Sequence, residues 1–538
     1  MVLLAALVIW GANLEYRKLA LSDEGRYSEI PRYMAQSGDW LTPRLNGIKY
    51  FEKPPLQYWA TAAAYEVFGE HQWTARLWPA LTGFAGLLLV FFAGARIYGT
   101  VAGFYAALVL GSSLLYAGMA HILTLDMGNA FFMTMALAGI LLGFDARADA
   151  LARKRWLQFA AAGCALAMLS KGLIGIVLPG AVVVLYMLLR RDFGLLRKIP
   201  FISGGLIFFA ICAPWFIAVS LVNPEFPQFF FIHEHFQRYT TTVHQRYQPW
   251  YYFIPILLLG ILPWLLPLVD ALLSALRRAR SREFDPTLFL LIWSGFIFVF
   301  FSISDSKLPS YILPIFPALA LLMGRRLADI GGRALAWQLL PVALLAAVGF
   351  YFVPYTERLA SAAIPAALYR AQTPWLYAAA GALLIGSVIA IVLAWRSKTN
   401  GAVVACAFAG LVTTQLAVTS EDALSPAHST YHLVKQLAPY LKPDVPFYSV
   451  GSYEQTLPFY IKRTVTLVDY QDEMAFGLEH EPQRWVPKIA EFEALWNTAP
   501  YALAVMGPEK YQELAAANLP MQLIARDTER VFVRTPAR

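Results

Sequence analysis

Long apolar blocks, separated by short polar segments, occupy most of the first 420 residues of this chain. A helix that crosses a bilayer needs about 17–25 predominantly apolar residues, and most of the blocks reach that length. They predict about thirteen membrane-spanning helices, at residues 2–14, 76–98, 100–120, 123–144, 157–170, 172–190, 199–222, 252–273, 287–303, 311–324, 336–353, 375–395 and 401–419. The first block has neither a basic start nor a small-residue cleavage site, so it matches a signal peptide poorly. Either it is a partly submerged helix or the numbering begins inside it.

The pattern changes after Thr419, where polar residues become frequent. Four short runs rich in β-branched and aromatic residues predict strands: VPFYSV, TVTLVDY, YALAVM and RVFVRT. Helical stretches such as EPQRWVPKIAEFEALW separate these runs. The sequence therefore predicts a membrane domain at residues 1–420 and a small α/β domain at residues 421–538.

Lysine and arginine are concentrated in every second connection between the predicted spans. These basic connections are short and read GARIYGT, DARADALARKRW, RRDFGLLRK, LRRARSRE, GRRLADIGGR and WRSKTN. Short basic loops stay in the cytoplasm. The remaining connections are therefore predicted on the outer side, together with the long segments 15–75 and 223–251. An odd number of spans puts the C-terminal domain on that outer side as well.

The composition excludes an ordinary soluble protein. The chain has 538 residues, of which 58% are hydrophobic and only 14% are charged, whereas about 25% of the residues of a soluble protein are charged. The three cysteines lie inside apolar blocks, so they predict neither a disulfide framework nor a zinc-binding spacing. The net charge of +8 is distributed over many loops, and no nucleic-acid partner is predicted.

Ionisable residues of the predicted outer side gather in six stretches near the ends of spans. These are residues 21–34, 51–55, 121–129, 169–172, 229–240 and 304–314. Ionisable groups near a bilayer are costly and indicate function by default. A transporter tends to hold such groups at the bilayer midplane, so their position near the outer interface favours a reaction chamber there.

In the stretch FEKPP, Lys53 directly precedes two prolines. Proline is favoured in the first turn of a helix, so a helix is predicted to begin at Pro54 or Pro55. A lysine beside the positive end of a helix is unfavourable unless an anion binds there, and helix N-termini do bind phosphate. Phosphate binding by Lys53 is one interpretation, and simple pairing with Glu52 or with water is the other.

Other candidate groups have ordinary explanations when each is considered alone. Asp23 and Asp126 follow the pattern of residues at helix starts, but two carboxylates on one rim also make a candidate acidic site. The HEH sequence at 233–235 is a weak metal signal, since residues two apart do not share a helix face. Arg238 offers a guanidinium fork that suits phosphate. Two lysines near span ends are interpreted as snorkelling to the interface: Lys171 and Lys307.

Four stretches together resemble a known family: DEGRYSEIPRYMAQSGDWLTPRLNGIKYFEKPPLQYW, TLDMGN, LSKGLIG and SKLPSYILP. They are similar to those of the ArnT-type aminoarabinose transferases of bacterial inner membranes, which belong with the protein O-mannosyltransferases in the GT-C superfamily. The resemblance implies a polytopic α-helical membrane protein of GT-C fold with about thirteen spans and a small periplasmic α/β domain. It also implies transfer of 4-amino-4-deoxy-L-arabinose from undecaprenyl phosphate to a lipid A phosphate, which weakens the binding of polymyxin and other cationic peptides.

The resemblance further implies roles for individual residues. Three residues are assigned to catalysis: Asp23, Asp126 and Lys53. Four residues are assigned to donor or acceptor contacts: Arg26, Tyr50, Arg238 and Tyr311. Glu52 and His233 resemble a zinc-coordinating pair, so zinc is the implied cofactor. The implied partners are the undecaprenyl-phosphate-linked amino sugar and lipid A, bound by a multi-pass monomer whose active site and C-terminal domain face the periplasm.

Three other functions remain open at this level. A related GT-C enzyme could use another polyprenyl-phosphate sugar or a protein acceptor, because the same stretches occur among broader relatives. A lipid flippase or transporter would need a path between the two faces, which the basic cytoplasmic loops do not indicate. A binding role for the C-terminal domain beside an inactive membrane part is disfavoured by the presence of both aspartates and of EKPP.

Overall fold

The computed structural model describes residues 2–237, 248–278 and 283–536. Up to residue 420 the described chain is mostly helical. Its longer helices are Val2–Gly11, Gln72–Tyr98, Thr100–Ser112, Asp126–Phe144, Ala150–Lys171, Ile174–Arg190, Phe201–Val222, Phe253–Gly260, Leu265–Arg277, Pro286–Ile303, Phe316–Asp329, Gly332–Phe352, Ala366–Trp395 and Thr399–Ser420. Shorter helical turns are Leu114–Met119, Phe193–Lys198, Gln228–Gln237, Pro309–Ile315 and Val353–Leu359. Each apolar block of the sequence coincides with at least one of the longer helices.

Eight of the described helices are long and apolar enough to cross a membrane, or nine when one bent pair counts as a single span. The bent pair is Phe253–Gly260 and Leu265–Arg277, whose axes differ by 109°. Pro263 lies in the break between them, and proline lacks the N–H that would continue the helical hydrogen bonding. The molecule is a multi-pass helical membrane protein, while the number of thirteen spans stays a prediction.

Helix Asp126–Phe144 lies at the centre of the bundle. In its most apolar window 83% of the residues are buried, compared with 22% in Phe201–Val222 and in Ala366–Trp395. The outer helices leave apolar side chains to face lipid, whereas the central helix packs against protein along its length. Asp126, the first residue of this helix, is therefore held in a fixed position at one end of the bundle.

Residues 15–75 contain two further helices, Asp23–Ser37 and Leu56–Phe68. The second begins directly after Pro55, so the helix predicted at Pro54 or Pro55 is present with its start at Leu56. Lys53 lies in the irregular stretch directly before this helix. Asp23 and Glu24 begin the first of these helices, and FEKPP directly precedes the second, so both stretches lie at helix starts in segment 15–75.

A hairpin connects these two helices and was not predicted from the sequence. Its strands are β1, Arg44–Leu45, and β2, Ile48–Lys49, which pair antiparallel. The two turn residues Asn46 and Gly47 have φ angles of 53° and 79°. A two-residue hairpin of this twist needs positive φ at both positions, which asparagine and glycine adopt readily.

The C-terminal part of the chain is a six-stranded sheet with short helices. The strands are β3 Phe447–Val450, β4 Thr466–Val468, β5 Trp485–Val486, β6 Leu503–Met506, β7 Gln522–Arg526 and β8 Val531–Arg534, in the order β5-β4-β3-β6-β8-β7. The helices are Ser425–His428, Tyr431–Leu437, Leu457–Ile461, Ala475–His480, Ile489–Thr498 and Pro508–Ala516. The first four strands in that order are parallel, and β8 and β7 complete the sheet antiparallel.

The four strands predicted in this part are confirmed as β3, β4, β6 and β8. The prediction missed β5, which has two residues, and β7, whose side chains are mostly exposed. Neither strand carries the apolar run that burial imposes on an inner strand. The predicted helix in EPQRWVPKIAEFEALW starts only at Ile489, because Trp485 and Val486 belong to β5.

The C-terminal domain packs on segment 15–75. Apolar side chains of both parts, including Ile30, Leu45, Leu457 and Phe459, belong to one buried cluster. The turn residue Asn46 accepts a hydrogen bond from the Val465 amide at 2.8 Å and donates to its carbonyl oxygen at 2.7 Å. A salt bridge of 2.9 Å joins Arg44 to Glu481. The domain is therefore held against the segment that carries Asp23 and Lys53.

Candidate active site

One cavity of about 650 Å³ collects side chains from both the helical bundle and the C-terminal domain. Seven of the nine site residues predicted from the sequence line it: Asp23, Arg26, Glu52, Lys53, Asp126, His233 and Tyr311. Tyr50 lies behind the cavity wall, and Arg238 lies outside the described residues. The basic and acidic groups that were dispersed along the sequence therefore share one space.

The two aspartates each stand at the start of a helix. Asp23 is the first residue of helix Asp23–Ser37, and Asp126 is the first residue of helix Asp126–Phe144. A carboxylate is favourable at this end because it faces the positive end of the helix dipole. The Asp23 side chain is 38% exposed, so it is open to the cavity, whereas Asp126 is buried and forms an ion pair with Lys171.

Glu24, next to Asp23, is a positioning group. In the sequence it was part of the stretch DEGRY and was not predicted to have a role of its own. Its carboxylate accepts two hydrogen bonds from Arg17 and two from Arg76, at 2.7–2.9 Å. It also accepts from the backbone amides of Ala20 and Leu123, both at 3.0 Å. Burial raises the pKa of Glu24, but the two guanidinium groups outweigh burial and hold it well below its usual range. One ionised side chain thus links the segments that lead to both aspartates.

Lys53 lies between two carboxylates on the cavity wall. Its ammonium nitrogen is 3.3 Å from Glu234 Oε2 and 3.8 Å from Glu52 Oε2, and it donates to the Glu52 carbonyl oxygen at 2.8 Å. Pairing with Glu52, one of the two interpretations from the sequence, is therefore present, although the nearer carboxylate belongs to Glu234. These contacts hold the lysine ammonium at the cavity wall.

Lys171 is a second cation of the site, and the sequence interpretation of snorkelling did not identify it as such. It ends helix Ala150–Lys171 and pairs with Asp126. Its ammonium lies 4.8 Å from the ring centroid of Tyr311, a cation–π contact. Lys53, Lys171 and Tyr311 also line a smaller pocket of about 170 Å³ next to the main cavity. Two lysines with an aromatic hydroxyl nearby form a set suited to a phosphate group.

Lys307 has a different role from Lys171, although both were interpreted as snorkelling. The Lys307 ammonium donates to the backbone carbonyl oxygens of Gln248 and Ser304. It therefore fastens the loop that leads to Tyr311. The residue that follows it, Leu308, lines the cavity.

Arg26 connects the bundle to the C-terminal domain across the cavity. It donates to Asp23 at 3.1 Å and forms a second ion pair with Glu473. Its guanidinium lies 5.7 Å and 5.9 Å from the ring centroids of Tyr27 and Tyr50. Tyr50 is only 2% exposed, so it supports Arg26 from behind, and a direct contact of Tyr50 with a substrate stays a prediction.

Residues of the C-terminal domain form one wall of the cavity, and no sequence signal indicated them. They are Gln455, Asp472, Glu473, Ala475, Phe476 and Glu479. Burial raises the pKa of Glu473, Arg26 lowers it, and the carboxylates of Glu52, Asp472 and Asp23 raise it further, to about 7. The domain therefore adds acidic groups to the site.

Glu52 and His233 both line the cavity, but they do not by themselves make a zinc site. Among the described residues there is no group of three or more His, Cys, Asp or Glu side chains that could hold a metal ion. A zinc ion held by a protein has three or four protein ligands. His233 instead stacks on Phe229, with ring centroids 5.2 Å apart, and is half exposed. The described residues do not fit a complete protein-held zinc centre.

A larger groove of about 730 Å³ meets the cavity at Ser22 and Asp23. Its walls are mostly apolar side chains, among them Leu115, Ile256 and Val418. Such a groove offers an apolar environment to a lipid chain.

Comparisons with known proteins indicate the family of the chain. Residues 52–217 match the family described as dolichyl-phosphate-mannose-protein mannosyltransferase, and residues 433–535 match the aminoarabinose transferase C-terminal domain. An undecaprenyl phosphate-alpha-4-amino-4-deoxy-L-arabinose arabinosyl transferase 2 of Pseudomonas fluorescens is 34% identical over 58% of this chain and 53% of its own length. The corresponding transferase of Aeromonas salmonicida is 36% identical over 59% of this chain and 57% of its own length. The chain thus matches little more than half the length of these curated relatives.

Solved structures extend the likeness over the whole chain. The crystal structure of ArnT from Cupriavidus metallidurans bound to undecaprenyl phosphate is 40% identical, with a TM-score of 0.95, and the match covers 100% of this chain and 97% of that chain. An oligosaccharyltransferase of Archaeoglobus fulgidus shares the fold alone, at 13% identity and a TM-score of 0.54, over 96% of this chain and 70% of that chain. From the two family matches and the full-length structural match, the chain belongs to the ArnT family of membrane glycosyltransferases with the GT-C fold.

Proposed function

We propose that the chain transfers 4-amino-4-deoxy-L-arabinose from undecaprenyl phosphate to a phosphate of lipid A, at the periplasmic face of the bacterial inner membrane. One observation carries the proposal. Asp23, Asp126, Lys53 and Lys171 share a cavity in a chain that is 40% identical over its full length to an ArnT crystallised with undecaprenyl phosphate. An amino sugar on lipid A masks a negative charge, so we expect the activity to weaken the binding of polymyxin and other cationic peptides.

The two lysines support binding of the donor phosphate. Lys53 and Lys171 line the same small pocket, where both ammonium groups lie near carboxylates, those of Glu234 and Asp126. A lipid phosphate that enters the pocket replaces part of these contacts by charge-assisted hydrogen bonds. The apolar groove beside Asp23 suits a prenyl or acyl chain of one of the two lipid substrates.

Transfer breaks the bond between the anomeric carbon of the sugar and the oxygen of undecaprenyl phosphate. The electron pair of that bond stays on the departing phosphate, whose negative charge therefore increases in the transition state. Positive groups that already point at this oxygen stabilise the charge without reorganisation. Lys53 and Lys171 are suited to this task, because both are largely withdrawn from water, with side chains 15% exposed.

The new bond forms between the same carbon and an oxygen of the acceptor phosphate. A phosphate monoester is mostly ionised at neutral pH because its second pKa is about 6, so the acceptor needs little help from a general base. Asp23 is therefore suited to orienting the acceptor or the sugar rather than to removing a proton. A single displacement of this kind inverts the configuration at the anomeric carbon.

The runner-up is a GT-C enzyme that uses another polyprenyl-phosphate sugar or a protein acceptor. The match of residues 52–217 to the mannosyltransferase family favours it, but that match leaves the C-terminal domain uncovered. The match of residues 433–535 to the aminoarabinose transferase domain favours the amino sugar. Membership of a glycosyltransferase family also favours transfer over the flippase alternative.

The test is reconstitution of the purified full-length chain in liposomes with undecaprenyl-phosphate-aminoarabinose and lipid A. Mass spectrometry should detect one or more added pentosamine groups on lipid A, and it should detect none when the donor is omitted. A chain that leaves lipid A unchanged but modifies a protein acceptor, or that accepts mannose from a polyprenyl phosphate instead, would overturn the proposal in favour of the runner-up.

A further inference from the structure

The charged side chains that the C-terminal domain contributes to the cavity are all acidic, whereas the rest of the lining mixes the two lysines, Arg26 and His233 with carboxylates. Asp472 and Glu473 belong to the domain wall, and Lys53 and Lys171 belong to the helical bundle. The cavity therefore offers lysines suited to phosphate on its helical side, and its other contributor, the C-terminal domain, adds only acidic charged groups, which suit a cation.

Among the described residues that act most strongly on Glu473, carboxylates outnumber cations. Arg26 is the cation that faces it, while the carboxylates of Glu52, Asp472 and Asp23 also interact with it electrostatically. The Glu473 side chain is only 11% exposed, so water screens this excess weakly. A bound cation would balance the excess charge on this side of the cavity.

Gln455 gives an independent indication of the ligand. It lines the cavity and is 7% exposed, and its amide nitrogen donates to Glu473. Its amide oxygen accepts no hydrogen bond within the part of the chain that the structure describes. A buried acceptor without a partner is costly, so the expected ligand at this point is a hydrogen-bond donor. Next to an acidic group, a positively charged nitrogen meets both requirements.

The two family matches separate the same two parts of the chain, the helical bundle and the C-terminal domain. The bundle segment 52–217 matches a family named for mannose, a sugar without an amino group, and carries Lys53 and Lys171. The segment 433–535 matches a domain named for aminoarabinose and carries Gln455, Asp472 and Glu473. The acidic wall therefore comes from the part of the chain that matches the aminoarabinose transferase domain.

We propose, resting on the function proposed above, that Glu473 and Gln455 bind the ammonium group of the donor sugar, with Asp472 close by. The C-terminal domain then selects an amino sugar over a neutral one, while the bundle binds the phosphates. In this arrangement Glu473 holds Arg26 and the ammonium together, and Arg26 in turn holds Asp23.

The experiment compares two donors on the same reconstituted full-length protein. One donor is undecaprenyl-phosphate-aminoarabinose, and the other has a hydroxyl in place of the ammonium group, which keeps the size and removes the charge. The quantity measured is the ratio of kcat/KM for the two donors. The fraction of folded enzyme cancels in this ratio, so a partly unfolded variant still gives an interpretable value.

The wild-type chain should prefer the amino donor, and Glu473→Gln should reduce this preference by about 10–100-fold, the range expected for a hydrogen bond to a charged group. Gln455→Leu and Asp472→Asn should each reduce the preference by a smaller factor. The matched control is Glu481→Gln, since Glu481 has a similarly buried side chain, 10% exposed, and pairs with Arg44 of segment 15–75. It does not line the cavity, so the control should keep the wild-type preference.

Three outcomes overturn the inference, and they are distinguishable. A wild-type preference that survives Glu473→Gln unchanged removes the ammonium site and leaves the proposed function intact. A wild-type protein that transfers no pentosamine from the amino donor removes the proposed function, and the ammonium site falls with it. An equal loss of preference in the Glu481→Gln control would reduce Glu473 to a residue that only docks the domain.

Discussion

The carboxylate of Glu24 accepts a hydrogen bond of 3.0 Å from the backbone amide of Leu123, a residue three positions before Asp126. Glu24 itself directly follows Asp23. The two aspartates of the cavity lie 103 positions apart in the sequence. The buried side chain of Glu24 thus connects the two segments that carry them. Arg17 and Arg76 form ion pairs with the same carboxylate.

The substitution Glu24→Gln should lower both stability and turnover. It leaves two buried guanidinium groups with one carboxylate fewer, and breaking a buried ion pair costs about 3–5 kcal/mol. It also weakens the link between Asp23 and Asp126, so kcat should fall further than the loss of folded protein explains. Thermal unfolding in detergent and turnover per folded molecule measure the two effects. The matched control is Glu29→Gln in the same helix, where Glu29 pairs with Arg32; it should lower stability while turnover per folded molecule stays unchanged.

The substitution Lys53→Ala should reduce transfer by about 100-fold or more. It removes a preorganised positive group from the oxygen that gains charge in the transition state. The control is Lys49→Ala, because Lys49 lies in the same segment with an 18% exposed side chain and pairs with Glu225 at 2.7 Å. Steady-state transfer assays on both variants check the prediction. Normal turnover in Lys53→Ala would remove this lysine from the mechanism.

The substitution Asp23→Asn should abolish transfer while the protein remains folded. The Asp23 side chain is 38% exposed and its ion pair with Arg26 lies at the cavity rim, so little core packing depends on its charge. Asp39→Asn is the control, since Asp39 is 39% exposed and lies 3.9 Å from Arg44. Transfer assays and size-exclusion profiles of the two variants should differ only in activity. A fully active Asp23→Asn protein would contradict the assignment.

The stability that Glu473 contributes should decrease as the pH rises. Its pKa is raised from an ordinary 4.5 to about 7 in the folded protein, so the folded state binds the proton more tightly than the unfolded state does. The resulting stabilisation is complete below about pH 4.5 and is lost as the pH rises through about 7. The charged groups that act on this carboxyl are Arg26, Glu52, Asp472 and Asp23.

The variant Glu473→Gln isolates this effect, because glutamine does not titrate. The Tm of the wild-type protein minus that of the variant should be larger at pH 5 than at pH 8, when both are measured in the same detergent. A difference in Tm that stays constant across this range would show that the pKa of Glu473 is not raised.

Removal of divalent metal should leave transfer unchanged. Glu52 and His233 supply two of the three or four ligands that a protein-held zinc ion needs, and the described residues form no larger group. Elemental analysis of chelator-washed protein, run beside its transfer assay, checks the prediction. Zinc retained at one ion per chain, lost in Glu52→Ala together with activity, would instead restore the metal to the site.

Sequence patterns predicted the bundle better than they predicted the site. Hydropathy is a local property, so each apolar block coincides with a helix, and the four inner strands of the C-terminal domain were found in the same way. The two-residue strand β5 and the exposed strand β7 carry no such signal. The hairpin at Asn46 and Gly47 had its usual turn residues, but its strands are only two residues long.

Among the residues that line the cavity, those near span ends were predicted from the sequence, and those brought in by tertiary packing were not. Asp23, Lys53 and Asp126 lie in polar stretches that interrupt apolar sequence, which makes them conspicuous. Glu473 lies in an ordinary polar domain, and only the docking of that domain brings it to Arg26, 447 positions earlier. Lys171 looked like an interfacial lysine because its partner Asp126 is remote in sequence.

The contact of Asn46 with Val465 has a consequence for the order in which parts of the protein are synthesised and packed. The hairpin precedes the cavity wall at 455–479 by about 400 positions in the chain, so it is synthesised well before the residues that complete the cavity. A nascent chain whose helices are already inserted in the bilayer still lacks this wall of the cavity. Premature termination before residue 455 would consequently yield a protein that lacks the acidic wall of the cavity.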